Sequence, residues 1–196
     1  MGGLLYHGSK VSDIEILKAS SILHGSNENV VYLTDSFPYA LFYVWDEKRN
    51  IKKGKHITAW VKDGIVYYEE QFKGQLKAFY DGVNGYIYSV ECKNQFLKVQ
   101  DRESIWYSRK DTAPCRVTEI TDVYQKILNY EQEGKIKIVR FAETDAARIE
   151  MIYKNIADNI IKNGLLKKPD ERDSIFYKRY FKAAWKMAEL RGNEKL

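Results

Sequence analysis

The residues of this chain best suited to chemistry are a histidine followed at once by glycine and two tyrosines further on. His7-Gly8-Ser9 comes first, then Tyr32, with Tyr43 eleven positions later. A glycine after a strand-end histidine removes the Cβ that would keep a ligand off the backbone. Two tyrosine rings offer flat, electron-rich faces. Together, one imidazole and two phenols suit a flat, cationic aromatic ligand, whose ring can lie against tyrosine faces.

Local elements must bring these residues together. Leu4–His7 is a short apolar run that reads as a strand ending at glycine. Val30–Thr34 is β-branched and reads as a second strand, presenting Tyr32. Asp35 or Ser36 then caps a helix that tolerates Pro38 in its first turn. Its apolar face is Ala40, Leu41, Val44 and Trp45, and it carries Tyr43. If the two strands are neighbours, His7, Tyr32 and Tyr43 converge on one cleft. The nicotinamide ring of NAD⁺ is a ligand of the required kind.

On these residues the chain resembles the ADP-ribosyltransferase superfamily, and most closely its diphtheria-toxin and poly(ADP-ribose) polymerase branch. The resemblance covers about the first 40 residues well, and residues 56–120 in strand order alone. It implies an α+β fold, with a split antiparallel β-sheet core and C-terminal helices, and it implies NAD as substrate. His7 would hydrogen-bond a ribose hydroxyl. Gly8, beside Ser9, would offer backbone groups to the carboxamide, Tyr32 would be the motif tyrosine, and Tyr43 would stack on nicotinamide. Ala40 stands where the polymerases carry a serine, so one carboxamide contact is missing.

The third family element is an acidic residue opening a late strand. A carboxylate there stabilises positive charge that develops only as nicotinamide leaves. Glu103 precedes Ser-Ile-Trp-Tyr-Ser and is the first candidate. Glu119, in Arg-Val-Thr-Glu-Ile, and Glu91, ending Gly-Tyr-Ile-Tyr-Ser-Val, are the others, and a chain with no catalytic carboxylate is the fourth possibility. His24-Gly25-Ser26 repeats the first tripeptide just before the Tyr32 strand, so His24 is either a loop residue or a second ligand of the cleft. The plain alternatives are a strand-end histidine, core tyrosines, turn serines at Ser9 and Ser26, a surface His56, and a solvated strand end at Glu69-Glu70.

The rest of the chain reads as mixed structure. Strands are expected at His56–Val61, Ile65–Glu70, Gly85–Glu91, Phe96–Val99, Ser104–Ser108, Cys115–Ile120 and Ile136–Arg140. Helices are expected over Phe72–Tyr80, from a Thr121 cap to Glu133, from Thr144 to Asn163, and from Ser174 to Leu190. Residues 1–142 form the expected NAD-binding core, and 143–196 a helical extension packed on it.

The 196 residues carry a net charge of +5 and include 15 tyrosines. So mild a charge permits a nucleic-acid partner without arguing for one. Lys52–Lys55 and the Lys178, Arg179, Lys182 and Lys186 face read as solvated, or as partner-binding. No apolar run approaches the about 18 residues of a membrane span. Gly2 lacks the Ser or Thr four positions on that myristoylation requires, since Tyr6 stands there. Cys92 and Cys115 have no metal-ligand spacing, so no metal is expected. The expected setting is cytoplasmic and bacterial, with no membrane partner. The expected activity is transfer of ADP-ribose from NAD to a protein or nucleic-acid acceptor. The alternatives are an inactive NAD- or ADP-ribose-binding or protein-interaction module, and an RNA 2′-phosphotransferase-like activity.

Overall fold

The computed structural model describes residues 3–49 and 57–193. His56, Lys52–Lys55 and Gly2 lie outside the described residues. The fold is mixed α+β, with an antiparallel sheet and a smaller mixed sheet. The chain divides into two compact units, the first made of Met1–Asp46, Ala59–Tyr68 and Leu76–Ile138, the second of Glu47–Thr58, Glu69–Gln75 and Val139–Leu196. The helical C-terminal segment therefore forms one unit with two earlier stretches of chain.

In the first unit, β1 (Leu4–Ser9) is the inner strand of the antiparallel sheet. It pairs along its whole length with β6 (Gly85–Glu91), from Leu4 opposite Glu91 to Ser9 opposite Tyr86. Its other neighbour is β3 (Asn29–Thr34), which pairs with it at Tyr6 opposite Thr34. β3 also pairs with β2 (Ser21–Ile22), a two-residue strand absent from the sequence reading, which formed no apolar run to announce itself. Beyond β3 lie β8 (Ile105–Ser108) and β7 (Leu97–Lys98), and beyond β6 lies β9 (Arg116–Ile120). The sheet is thus parted between β1 and β3 past a single bridging pair.

The pleat puts alternate residues on opposite faces. Leu5, Val31, Leu33, Tyr88 and Val90 bury one face together with Leu17 and Phe96. The other face carries Gly8, and against it lies the segment that follows β3. Here α1 (Phe37–Ala40) is capped by the Ser36 hydroxyl, which accepts from the Tyr39 amide, and it tightens into a 3₁₀ turn over Leu41–Tyr43. Two glycines seat this segment. A Cβ on Gly8 would lie 2.1 Å from the Ala40 carbonyl oxygen, and one on Gly85 would lie 2.3 Å from Val44 Cγ1. Phe42 stacks on Tyr68 with ring centres 5.0 Å apart, and the Tyr80 hydroxyl donates to the Phe42 carbonyl at 2.9 Å.

The second sheet is made of β4 (Thr58–Lys62), β5 (Ile65–Glu69) and β10 (Ile136–Val139). Asp63 and Gly64 join β4 to β5 with φ of 52° and 74°, the left-handed pair that a two-residue hairpin turn requires. Also in this unit are α2 (Gln75–Tyr80) and α3 (Val123–Gln132). Asp122 caps α3 in place of the expected Thr121, its carboxylate accepting from the Gln125 amide at 3.0 Å. A carboxylate is the stronger acceptor for amides at the positive end of a helix.

In the second unit α4 (Ala146–Lys162), expected to start at Thr144, starts two residues later and is capped by Asp145, whose carboxylate accepts from the Arg148 amide. The expected single last helix is two, α5 (Arg172–Tyr180) and α6 (Lys182–Asn193), broken at Phe181 with φ −127° and ψ 48°. The break buries Phe181 against Phe72, Phe176 and Tyr177. Lys178 and Arg179 therefore do not share a helix with Lys182 and Lys186. Lys178 donates to the Pro169 carbonyl and lies over the Trp185 ring. Glu69 and Glu70 are not a solvated strand end. Both are buried. Arg148 grips the Glu69 carboxylate at 2.9 and 2.5 Å, and Glu70 accepts from the Phe141 amide.

Candidate functional site

His7 sits where β1 and β3 part. Its Nδ1 lies 2.9 Å from the Tyr32 carbonyl oxygen. A carbonyl only accepts, so Nδ1 carries the proton and the side chain replaces a ladder hydrogen bond that the diverging strands no longer make. Burial holds the imidazole pKa below its ordinary 6.5, with the bond to Tyr32 opposing. The neutral ring leaves Nε2 with a lone pair, an acceptor for a hydroxyl.

Tyr32 is held at its far end. Its hydroxyl accepts from the His24 amide at 2.9 Å and donates to the Ile22 carbonyl at 3.3 Å. The connection before β3 thus fixes the ring, and the contribution of His24 here is its backbone, its side chain being exposed. Tyr107 lies directly across from Tyr32 on β8, with the Arg109 guanidinium over its ring.

Tyr43 comes from the 3₁₀ turn. Its Cβ lies 3.2 Å from where a Gly8 Cβ would be, so the turn rests on the residue next to His7. Its hydroxyl donates to Tyr39 at 3.1 Å, and the two rings stand 80° apart. Tyr39 in turn donates to the Ala59 carbonyl. The Tyr43 side chain retains 45% exposure while burial around its hydroxyl, together with Tyr39, pushes its pKa up. The two hydroxyls have separate partners, Tyr32 at His24 and Ile22 and Tyr43 at Tyr39.

Gly8 does something other than the sequence suggested. The space its missing Cβ would fill holds the Ala40 carbonyl, so the glycine admits the helix on that face. Ala40 is wholly buried, its carbonyl pressed against Gly8. The Ser9 hydroxyl accepts from the Val11 amide at 3.1 Å, a turn role, as is that of Ser26.

None of the three acidic candidates has a described bond to His7 or either tyrosine. Glu103 accepts from the amides of Asp63 and Gly64 at 3.0 and 2.8 Å, clamping the β4–β5 turn. Glu91 lies opposite Leu4, at the other end of β1 from Ser9, and pairs with Lys93 at 3.5 Å. Glu119 lies opposite Tyr86 on edge strand β9 and borders a shallow groove of about 290 Å³ with Phe37, Asp122 and Gln125. A second hollow, of about 610 Å³, lies in the helical unit at Leu166, Lys186, Glu189 and Leu190. Neither is lined by His7, Tyr32 or Tyr43.

Sequence reading missed Tyr39 and Arg102. Tyr39 lay outside the expected apolar face, and its signal was the i, i+4 spacing to Tyr43. Among the described residues no group of His, Cys, Asp and Glu is arranged to hold a metal, and no helix is long and apolar enough to cross a membrane. No family model matches the chain, and no curated protein or solved structure matches it significantly.

Proposed function

We propose that this chain binds NAD⁺ at the opening between β1 and β3 and belongs with the ADP-ribosyltransferases in mechanism. One observation carries the reading. His7 reaches across the parted strands to the Tyr32 backbone, and the next residue, Gly8, seats the turn that bears Tyr43. Nicotinamide would lie on the open face of Tyr43. The ribose hydroxyls would donate to His7 Nε2, which is free to accept in the neutral ring. In transfer, the bond from nicotinamide nitrogen to ribose C1′ breaks, and the electron pair leaves with nicotinamide. The acceptor nucleophile, on a protein or a nucleic acid, forms the new bond at C1′ and loses its proton to solvent. A carboxylate that steadies the positive ribose speeds that step.

Glu103 would have to leave two amides to be that carboxylate. Its engagement favours the second reading, a module that binds NAD⁺ or ADP-ribose without transferring it. Calorimetric titration with NAD⁺ tests the shared claim: wild type binds, and Tyr43→Ala and His7→Ala lose about tenfold or more while keeping their circular dichroism. Absence of NAD⁺ binding by the wild type overturns it. Nicotinamide release separates the two readings. Turnover by wild type that Glu103→Gln abolishes supports transfer, and binding without turnover supports the module.

A further inference from the structure

The loop between β7 and β8 carries a cation that neither the sequence reading nor the proposed chemistry uses. It is fixed from several sides. The Val99 amide donates to Ile105, the Arg102 amide donates to Val99, and the Asp35 amide donates to Ser104. The last bond ties the loop to the residue just before the Ser36 cap of α1, and so to the base of the segment bearing Tyr39 and Tyr43. Asp101 and Ser104 take left-handed φ of 58° and 62°, which turn the chain sharply on either side of Arg102 and Glu103. Two carboxylates of this neighbourhood are engaged away from Arg102, Glu103 by the Asp63 and Gly64 amides and Asp35 by the Trp106 indole at 2.9 Å, and Asp101, next to it in sequence, makes no ion pair with it. Arg102 is exposed and has no ion pair among the described residues. Its positive charge is felt by both tyrosine hydroxyls and opposes the upward push that burial gives them.

We infer that Arg102 is the anion anchor of the tyrosine site, binding a phosphate of the ligand whose flat ring lies on Tyr43. This rests on the NAD⁺ reading and specifies it: the loop supplies the charge for the dinucleotide's pyrophosphate, and the tyrosines supply the surface for its base. A guanidinium is suited to this because its planar fork meets two phosphate oxygens at once. A lysine there would present one compact charge and bind less firmly. Clamping by Glu103 lowers the entropy that Arg102 loses on binding.

The experiment titrates wild type, Arg102→Gln and Arg102→Lys with NAD⁺, ADP-ribose and nicotinamide riboside, at low and physiological salt. Arg102→Gln weakens NAD⁺ and ADP-ribose by about ten- to a hundredfold, the range of a lost charge-assisted hydrogen bond. It leaves nicotinamide riboside, which has no phosphate, within about twofold. Arg102→Lys falls between, and the salt dependence of NAD⁺ binding flattens in Arg102→Gln. An unchanged NAD⁺ affinity in Arg102→Gln overturns the anchor and spares the NAD⁺ reading. Equal weakening of NAD⁺ and the riboside also overturns it, since the loop then acts through folding. Wild type that binds none of the three ligands overturns both claims.

Discussion

Replacing Gly8 with alanine tests how the site is built. The backbone at Gly8 is an ordinary strand paired with Ile87, so alanine adds no conformational strain, and the entire effect is one methyl group. That methyl would stand 2.1 Å from the Ala40 carbonyl oxygen and 3.2 Å from Tyr43 Cβ, whereas real contacts essentially never fall below 3.0 Å. Ala40 must withdraw by about 1 Å, carrying Tyr43 with it, in a close-packed setting that does not yield freely. Overpacking of this kind costs about 1–3 kcal/mol. Urea denaturation of wild type and Gly8→Ala measures it. Gly3→Ala, where a new Cβ would meet nothing within 4 Å, is the control and stays within about 0.5 kcal/mol. On the NAD⁺ reading, affinity falls about three- to tenfold, because the shift would take Tyr43 away from the nicotinamide. A Gly8→Ala protein as stable as wild type and equally good at binding would refute the close seating. A destabilised protein with unchanged affinity would leave the packing intact and detach Tyr43 from the ligand.

Two further outcomes follow from charge. Because burial lowers the His7 pKa below 6.5, the unfolded chain binds the proton first as pH falls. Stability therefore declines below about pH 6.5, down to the lowered folded value, and levels off beneath it. His7→Asn removes that limb from a plot of unfolding free energy against pH, and a parallel curve for the variant would show that His7 is not its source. On the NAD⁺ reading, affinity holds through that limb and drops only around the lowered folded pKa, where the folded imidazole protonates and Nε2 has no lone pair left to accept with. In the helical unit, Glu69→Gln costs about 1–3 kcal/mol because the Glu69 side chain is only 9% exposed within the Arg148 fork. Glu150→Gln, breaking the exposed pair with Lys154, leaves stability close to that of the wild type because solvent screens the pair. Equal losses in the two variants, measured by urea denaturation, would count against the buried pair.

Legibility followed the range of the forces involved. β1, β3, β6 and β9 appear close to their expected bounds, because alternation and β-branching are local. So does the stop of α3 at Gly134, whose φ of 73° is one that glycine takes without strain. Ser36 caps α1 as one of the two expected residues, but the cap of α3 falls one residue later than Thr121, because hydroxyl and carboxylate neighbours compete and only geometry settles which oxygen meets the amides. The continuous pattern Phe176, Tyr180, Ala184 hid the break at Phe181, since a helix can give way to a ring that packs better bent. At the site, residue types pointed to His7, Tyr32 and Tyr43; the structure joins the His7 side chain to the Tyr32 backbone and seats Tyr43 on Gly8, which strand alternation sets on the face opposite His7. What the residues do locally was hidden. Gly8 faces a helix, and Glu103 holds a turn 39 and 40 positions away. Contacts of that range have no sequence period.

Glu103 brings the two demands on this loop into conflict. A carboxylate that accepts from two turn amides is well satisfied, and moving it strips both amides of a charged acceptor, at about 1.5–3 kcal/mol for each bond. Catalysis would have to recover that amount from the positive ribose, which exists only near the transition state. Arg102 faces no such choice. It is next in sequence, has no competing ion pair among the described residues, and is held by the same clamp. On the proposed reading, a ligand phosphate is bound with Glu103 left in place, whereas Glu103 serves ribose chemistry only by leaving the two turn amides. On this geometry binding is the less costly event. Transfer that uses Glu103 would include release of the β4–β5 turn.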